Sequence, residues 1–111
     1  MYEPSRSYLD CHLAGFTHWD GVDAFKELEV GSPLSLVPEP DNPFDQKSVA
    51  VYYGDLKLGY IPSKYNGRLS PLLIFGPEDL FEVFVNHISE DHHPEGQIGI
   101  IVKIKDSRKS N

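Results

Sequence analysis

Apolar residues recur at every second position in short runs, and Gly and Pro separate the runs. A period of two marks strands with one buried face. Leu9, Cys11 and Leu13 alternate with Asp10 and His12 and predict a strand that Gly15 ends. Phe16 to Gly21 reads as an aromatic loop or strand end. Phe25 to Val30 fits a short helical turn or a poor strand, broken by Gly31-Ser-Pro33. Leu34 to Val37 is a strand closed by Pro38 and Pro40. Ser48 to Tyr53 has the clearest alternation, with Val49, Val51 and Tyr53 on one face. Gly54-Asp55 suits a two-residue hairpin turn, because glycine tolerates positive φ. Leu56 to Ile61 is then the returning strand, stopped by Pro62. Leu80 to Ile88 and Gln97 to Lys105 complete the set, with Ile98, Ile100, Val102 and Ile104 sharing a face.

Between the fourth and fifth strands the period changes. Ser63 is placed to cap one helical turn, and Ser70-Pro71 puts Ser at the N-cap and Pro at the first helical position of another. Pro71 would kink a continuous helix, so two short ones are expected. No β-α alternation and no internal repeat occurs. The predicted class is all-β: a small six-stranded OB-like barrel with one or two short helices. Periodicity alone leaves an SH3-like barrel open beside it.

Composition narrows the picture. At 111 residues the chain fits a single domain, 1–111, with its core at about 8–105 and a charged, disordered tail at 106–111. The longest apolar run, around Pro71 to Phe75, is far too short to span a membrane. The first residues lack the apolar stretch of a signal peptide. Cys11 is the one cysteine, so an intrachain disulfide is excluded. A cytoplasmic location without membrane association is therefore expected. The formal net charge is −7, which opposes polyanion binding except at a local patch.

The segment Leu36 to Ile61 carries the chemistry. Asp41 and Asn42 before Pro43 can bond their own backbone and set a tight turn. Phe44 and Asp45 then follow together. An aromatic face beside a carboxylate can stack a base and accept a hydrogen bond from a sugar hydroxyl. The same residues also fit a plainer role, with Asn42 and Asp45 capping turns and Phe44 filling the core.

Asp-Asn-Pro-Phe-Asp (41–45), the Val-Ala-Val strand (49–51) and Leu-Gly-Tyr-Ile-Pro (58–62) together resemble the HIRAN family. Ala14-Gly-Phe16 followed by His18-Trp19, and Gly31 ahead of the Leu-Val strand, fit the same pattern. The resemblance runs from Leu9 to Leu73, with the last two strands agreeing in pattern only. It implies an OB-like barrel that, in eukaryotic members attached to DNA-remodelling ATPases, grips the 3′-hydroxyl end of single-stranded DNA. Bacterial members also occur as small stand-alone proteins, the kind this chain resembles. By position, Asp45 matches the carboxylate on the terminal hydroxyl, Asn42 a polar contact to the end nucleotide, and Phe44 a stacking aromatic. His18 and Trp19 fall where the family has two tyrosines. Thr17 stands at an arginine position, Tyr60 at a histidine and Ser63 at a lysine, with Lys64 adjacent. The expected site is therefore Thr17, His18, Trp19, Asn42, Phe44, Asp45, Tyr60 and Lys64. Its ligand would be a single-stranded DNA end, held with few phosphate contacts and a shallow salt dependence. A protein-interaction or regulatory module on the same barrel is the alternative, consistent with the acidic charge and the missing arginine.

Other residue groups support less. His87, Asp91, His92 and His93 are dense, but adjacent histidines on an extended chain point apart, so no metal site is expected. Cys11 and His12 are strand neighbours facing opposite sides, which excludes a thiol-imidazole pair. Glu82, Asp41 and Asp45 lack the further acid or lysine that a nuclease needs. No nucleophile elbow or phosphate-cradling glycine pattern occurs. The expectation is a non-catalytic domain without metal or cofactor.

Overall fold

Each predicted run becomes a strand, and the strands assemble into one curled antiparallel sheet. The computed structural model describes residues 5–15, 24–89 and 98–105. The strands are β1 (Ser5–His12), β2 (Pro33–Pro38), β3 (Val49–Tyr53), β4 (Leu56–Tyr60), β5 (Phe81–Ile88) and β6 (Ile98–Lys105), in the order β1-β6-β5-β2-β3-β4. A 3₁₀ turn spans Phe25–Glu27, and two short helices, α1 (Ser63–Asn66) and α2 (Ser70–Phe75), lie between β4 and β5.

β2 makes the curl. Its first residues, Pro33 and Leu34, pair with β5, while Ser35 to Pro38 pair with β3. One strand thus belongs to both halves and turns the sheet on itself. The far edges then meet at one bridge, where Ala14 and Tyr60 exchange two 2.9 Å backbone hydrogen bonds. The result is a half-barrel of six antiparallel strands with two short helices. The residues lining its interior are those the alternation selects: Leu9 and Cys11 on β1, Leu13 just after it, Val49 and Val51 on β3, and Ile98, Ile100 and Val102 on β6 are all buried.

Local chemistry explains the turns. Gly54 has φ +60°, and Tyr53 pairs directly with Leu56, so Gly54-Asp55 is the two-residue hairpin turn expected. The register slips between Val51 and Tyr52, leaving Leu58 as the extra residue of a β-bulge in β4. Two details differ from expectation. Ser63 and Ser70 do not cap α1 and α2: each is the first helical residue, the cap positions are Pro62 and Leu69, and no side chain bonds either end. Pro71 still sits in the opening turn. Ala50 is also fully buried, although alternation places it on the outer face. Its register partners are Val37 and Tyr60, whose larger side chains flank the small methyl.

Among the described residues no helix is long and apolar enough to cross a membrane. Cys11 is a buried free thiol, and burial, helped by the nearby charge of Asp10, pushes its pKa up to about 11.

Candidate functional site

The turn between β2 and β3 is built around Asn42. Its side-chain oxygen accepts hydrogen bonds from the backbone N–H of Phe44 (2.9 Å) and of Asp45 (3.2 Å). This closes an Asx turn over Pro43. Its amide nitrogen donates to Oε1 of Glu39 at 3.0 Å. Both polar atoms of Asn42 thus shape the turn, and its role here is to position its neighbours.

Those neighbours are presented to solvent. The Phe44 side chain is 96% exposed, which removes the reading of it as core filler. An apolar ring held wholly in water contributes nothing to the fold by burial. Beside it, Asp45 accepts from the Lys47 backbone N–H at 2.9 Å through Oδ1 and from the Asn66 side chain at 3.0 Å through Oδ2. The Asn66 and Lys47 donors hold the Asp45 carboxyl below its ordinary pKa. At neutral pH it is an ionised acceptor, and a carboxylate's two oxygens offer about four lone-pair sites, of which two are used. Asn66 is itself 3% exposed and sits at the end of α1, so the short helix anchors the carboxylate from behind.

Tyr60 joins through a second network. Its hydroxyl donates to Oε1 of Glu39 at 2.7 Å and accepts from the Lys57 ammonium at 2.7 Å, while Lys57 also reaches Oε2 of Glu39 at 3.1 Å. Burial opposes ionisation of Glu39, but hydrogen bonds from Asn42, Tyr60 and Lys57 outweigh it and lower its pKa. Glu39 is the hub: one carboxylate ties the edge strand β4 to the turn that displays Phe44 and Asp45. Neither Glu39, Lys57 nor Asn66 stands out in the sequence. Glu39 precedes Pro40 in an ordinary loop composition, and Asn66 is far from Asp45 along the chain.

Lys64 lies on α1, with its ammonium 5.1 Å from the centre of the Tyr65 ring. It borders a cleft of about 350 Å³ between β1 and α1, shared with Asp10, His12 and Tyr65. The structure therefore brings Asn42, Phe44 and Asp45 together, links Tyr60 to them through Glu39, and puts Lys64 on the helix that carries Asn66. Thr17, His18 and Trp19 lie outside the described residues, as do Asp91, His92 and His93. Ala14, three residues before Thr17, is the residue bridged to Tyr60.

The model of the HIRAN domain matches residues 7–105. The chain belongs to the HIRAN family. HIRAN domains are known as modules that bind DNA ends, and a HIRAN domain alone is generally a non-catalytic binding module. Two solved structures share this HIRAN fold. A crystal structure of a protein from Lactobacillus plantarum superposes with a TM-score of 0.77 at 19% identity, over 92% of this chain and 96% of that one. The crystal structure of the HIRAN domain of human HLTF superposes with a TM-score of 0.61 at 17% identity, over 93% of this chain and 82% of that one. No curated protein matches the chain significantly.

Proposed function

We propose that this HIRAN domain binds the 3′-hydroxyl end of single-stranded DNA. Asp45 accepts the terminal hydroxyl and Phe44 stacks the last base. Asn42 holds both in place, and Tyr60 and Lys64 stand at the rim. Thr17, His18 and Trp19 complete the proposed site by family position. The observation that carries the reading is the fully exposed Phe44 ring beside a carboxylate kept ionised by Asn66 and Lys47. Stacking on any base makes the interaction sequence-independent. With Thr17 at the arginine position and a net charge of −7, few counterions are released and the salt slope is shallow.

The test is fluorescence anisotropy at low salt, using single-stranded oligonucleotides that end in a 3′-hydroxyl or a 3′-phosphate. Wild-type protein should prefer the hydroxyl end, and Asp45→Asn should lose that preference. Equal binding of both ends by wild type would refute it. A protein-interaction role is the second reading, favoured by Leu72, Ile74 and Phe75 of α2, which are exposed apolar residues. It gains if neither oligonucleotide binds at the highest attainable concentration.

A further inference from the structure

His12 and His87, remote in sequence, are brought together by the sheet. Each is the register partner of Gly99 on the central strand β6, His12 from β1 and His87 from β5. The three therefore form one row and project on the same face, opposite to the buried Cys11, Ile98 and Ile100. Two strand spacings separate the outer backbones by about 9.5 Å. The rings nevertheless stand 6.0 Å apart, centroid to centroid, at 90°. Both side chains lean inward over Gly99.

The glycine makes that possible. A Cβ at position 99 would lie 2.9 Å from Oδ1 of Asn86, 3.0 Å from Cβ of His87 and 3.6 Å from Cδ2 of His12. Any larger residue would intrude beneath the rings. Both histidines are exposed. Asp10, two residues before His12 and so on the same face, accepts a 2.9 Å hydrogen bond from Asn86. A carboxylate is thus fixed alongside the pair, and the exposure of both histidines leaves the pair open to solvent.

We propose that His12 and His87 form a two-imidazole binding site for a first-row transition-metal dication of the Cu²⁺, Ni²⁺ and Zn²⁺ class. Metal–nitrogen bonds of about 2.1 Å place two imidazole centroids about 5–6 Å apart across a shared ion. The observed centroid separation of 6.0 Å falls at the upper end of that range. Imidazole nitrogen selects these metals over Mg²⁺ and Ca²⁺, which prefer oxygen. Asp10 supplies attraction through its charge. Among the described residues no group of three or more His, Cys, Asp or Glu able to hold a metal occurs, so the proposed site rests on the two imidazoles. The order of affinity follows the ligand chemistry, with Cu²⁺ first. This inference is independent of nucleic-acid binding.

Calorimetric titration of the full chain with CuCl₂, NiCl₂, ZnCl₂ and MgCl₂ tests it, using wild type, His12→Ala, His87→Ala and a His92→Ala/His93→Ala double variant. Since His12 and His87 are exposed, the single variants should fold, as metal-free thermal melts will show. The expected result is one Cu²⁺ or Ni²⁺ per chain, no response to Mg²⁺, and affinity reduced about tenfold or more in each single variant. Three results overturn it: no binding of any of the three transition metals at millimolar concentration, single variants that bind as wild type does, or loss only in the His92/His93 variant.

Discussion

Replacing Glu39 with alanine should destabilise the domain by about 2 kcal/mol at neutral pH. Three hydrogen bonds end on this carboxylate: from Asn42 at 3.0 Å, from Tyr60 at 2.7 Å and from Lys57 at 3.1 Å. A neutral-donor bond contributes about 0.5–1.5 kcal/mol net. The Lys57 pair lies near the surface, with side-chain exposures of 16% and 25%, so it adds no more than about 1 kcal/mol. The bonds share one acceptor group and are not additive. Tyr60 also keeps its bond to Lys57 in the variant. These corrections bring the total to about 2 kcal/mol, or a fall in melting temperature of about 8 °C for a domain of this size. The pH dependence supplies an internal control. Folding lowers the Glu39 pKa below its usual value of 4.5, so the folded state favours the ionised form. Its contribution is present above the unfolded pKa and is lost as pH falls through the folded one. Urea denaturation should therefore show a wide gap between wild type and variant at pH 7 that narrows as pH falls below 4.5 and through the folded pKa. A loss below about 0.5 kcal/mol at pH 7, or a gap that does not narrow on acidification, would refute the hub assignment.

Other changes separate the display of the site from the frame that supports it. Phe44→Ala should leave stability within about 0.5 kcal/mol, since the ring is 96% exposed. The same variant should weaken oligonucleotide binding by about 1–3 kcal/mol in anisotropy titrations. Asn66→Ala removes the first donor to Asp45. The Asp45 pKa, followed by carboxyl NMR across an acid titration, should rise toward its ordinary value. Cys11 should react slowly with a thiol reagent in the folded protein, because a pKa of about 11 leaves about one thiolate in a thousand at pH 8. Urea should restore the rate of an ordinary cysteine.

The sequence by itself determined the strands, the hairpin at Gly54 and, Ala50 apart, which strand residues face inward. Each follows from interactions between near neighbours: apolar alternation, glycine's access to positive φ and proline's intolerance of a continued helix. It also showed Asp-Asn-Pro-Phe-Asp as a turn with HIRAN character, because Asn42 bonds the backbone only two and three residues onward. The tertiary structure alone decided whether Phe44 fills the core or faces water, since that depends on what the rest of the chain leaves uncovered. It alone supplied Asn66 to Asp45 and gathered Tyr60, Lys57 and Asn42 around Glu39, through contacts between residues remote in the chain. It also corrected the helix starts, where Pro62 and Leu69 occupy the cap positions expected of serines. The His12–His87 pair is the clearest case. Local reading grouped His87 with the histidines that follow it in sequence, whereas sheet order β1-β6-β5 sets it across Gly99 from His12. A period of two tells which face a residue occupies, but only strand order tells what stands beside it.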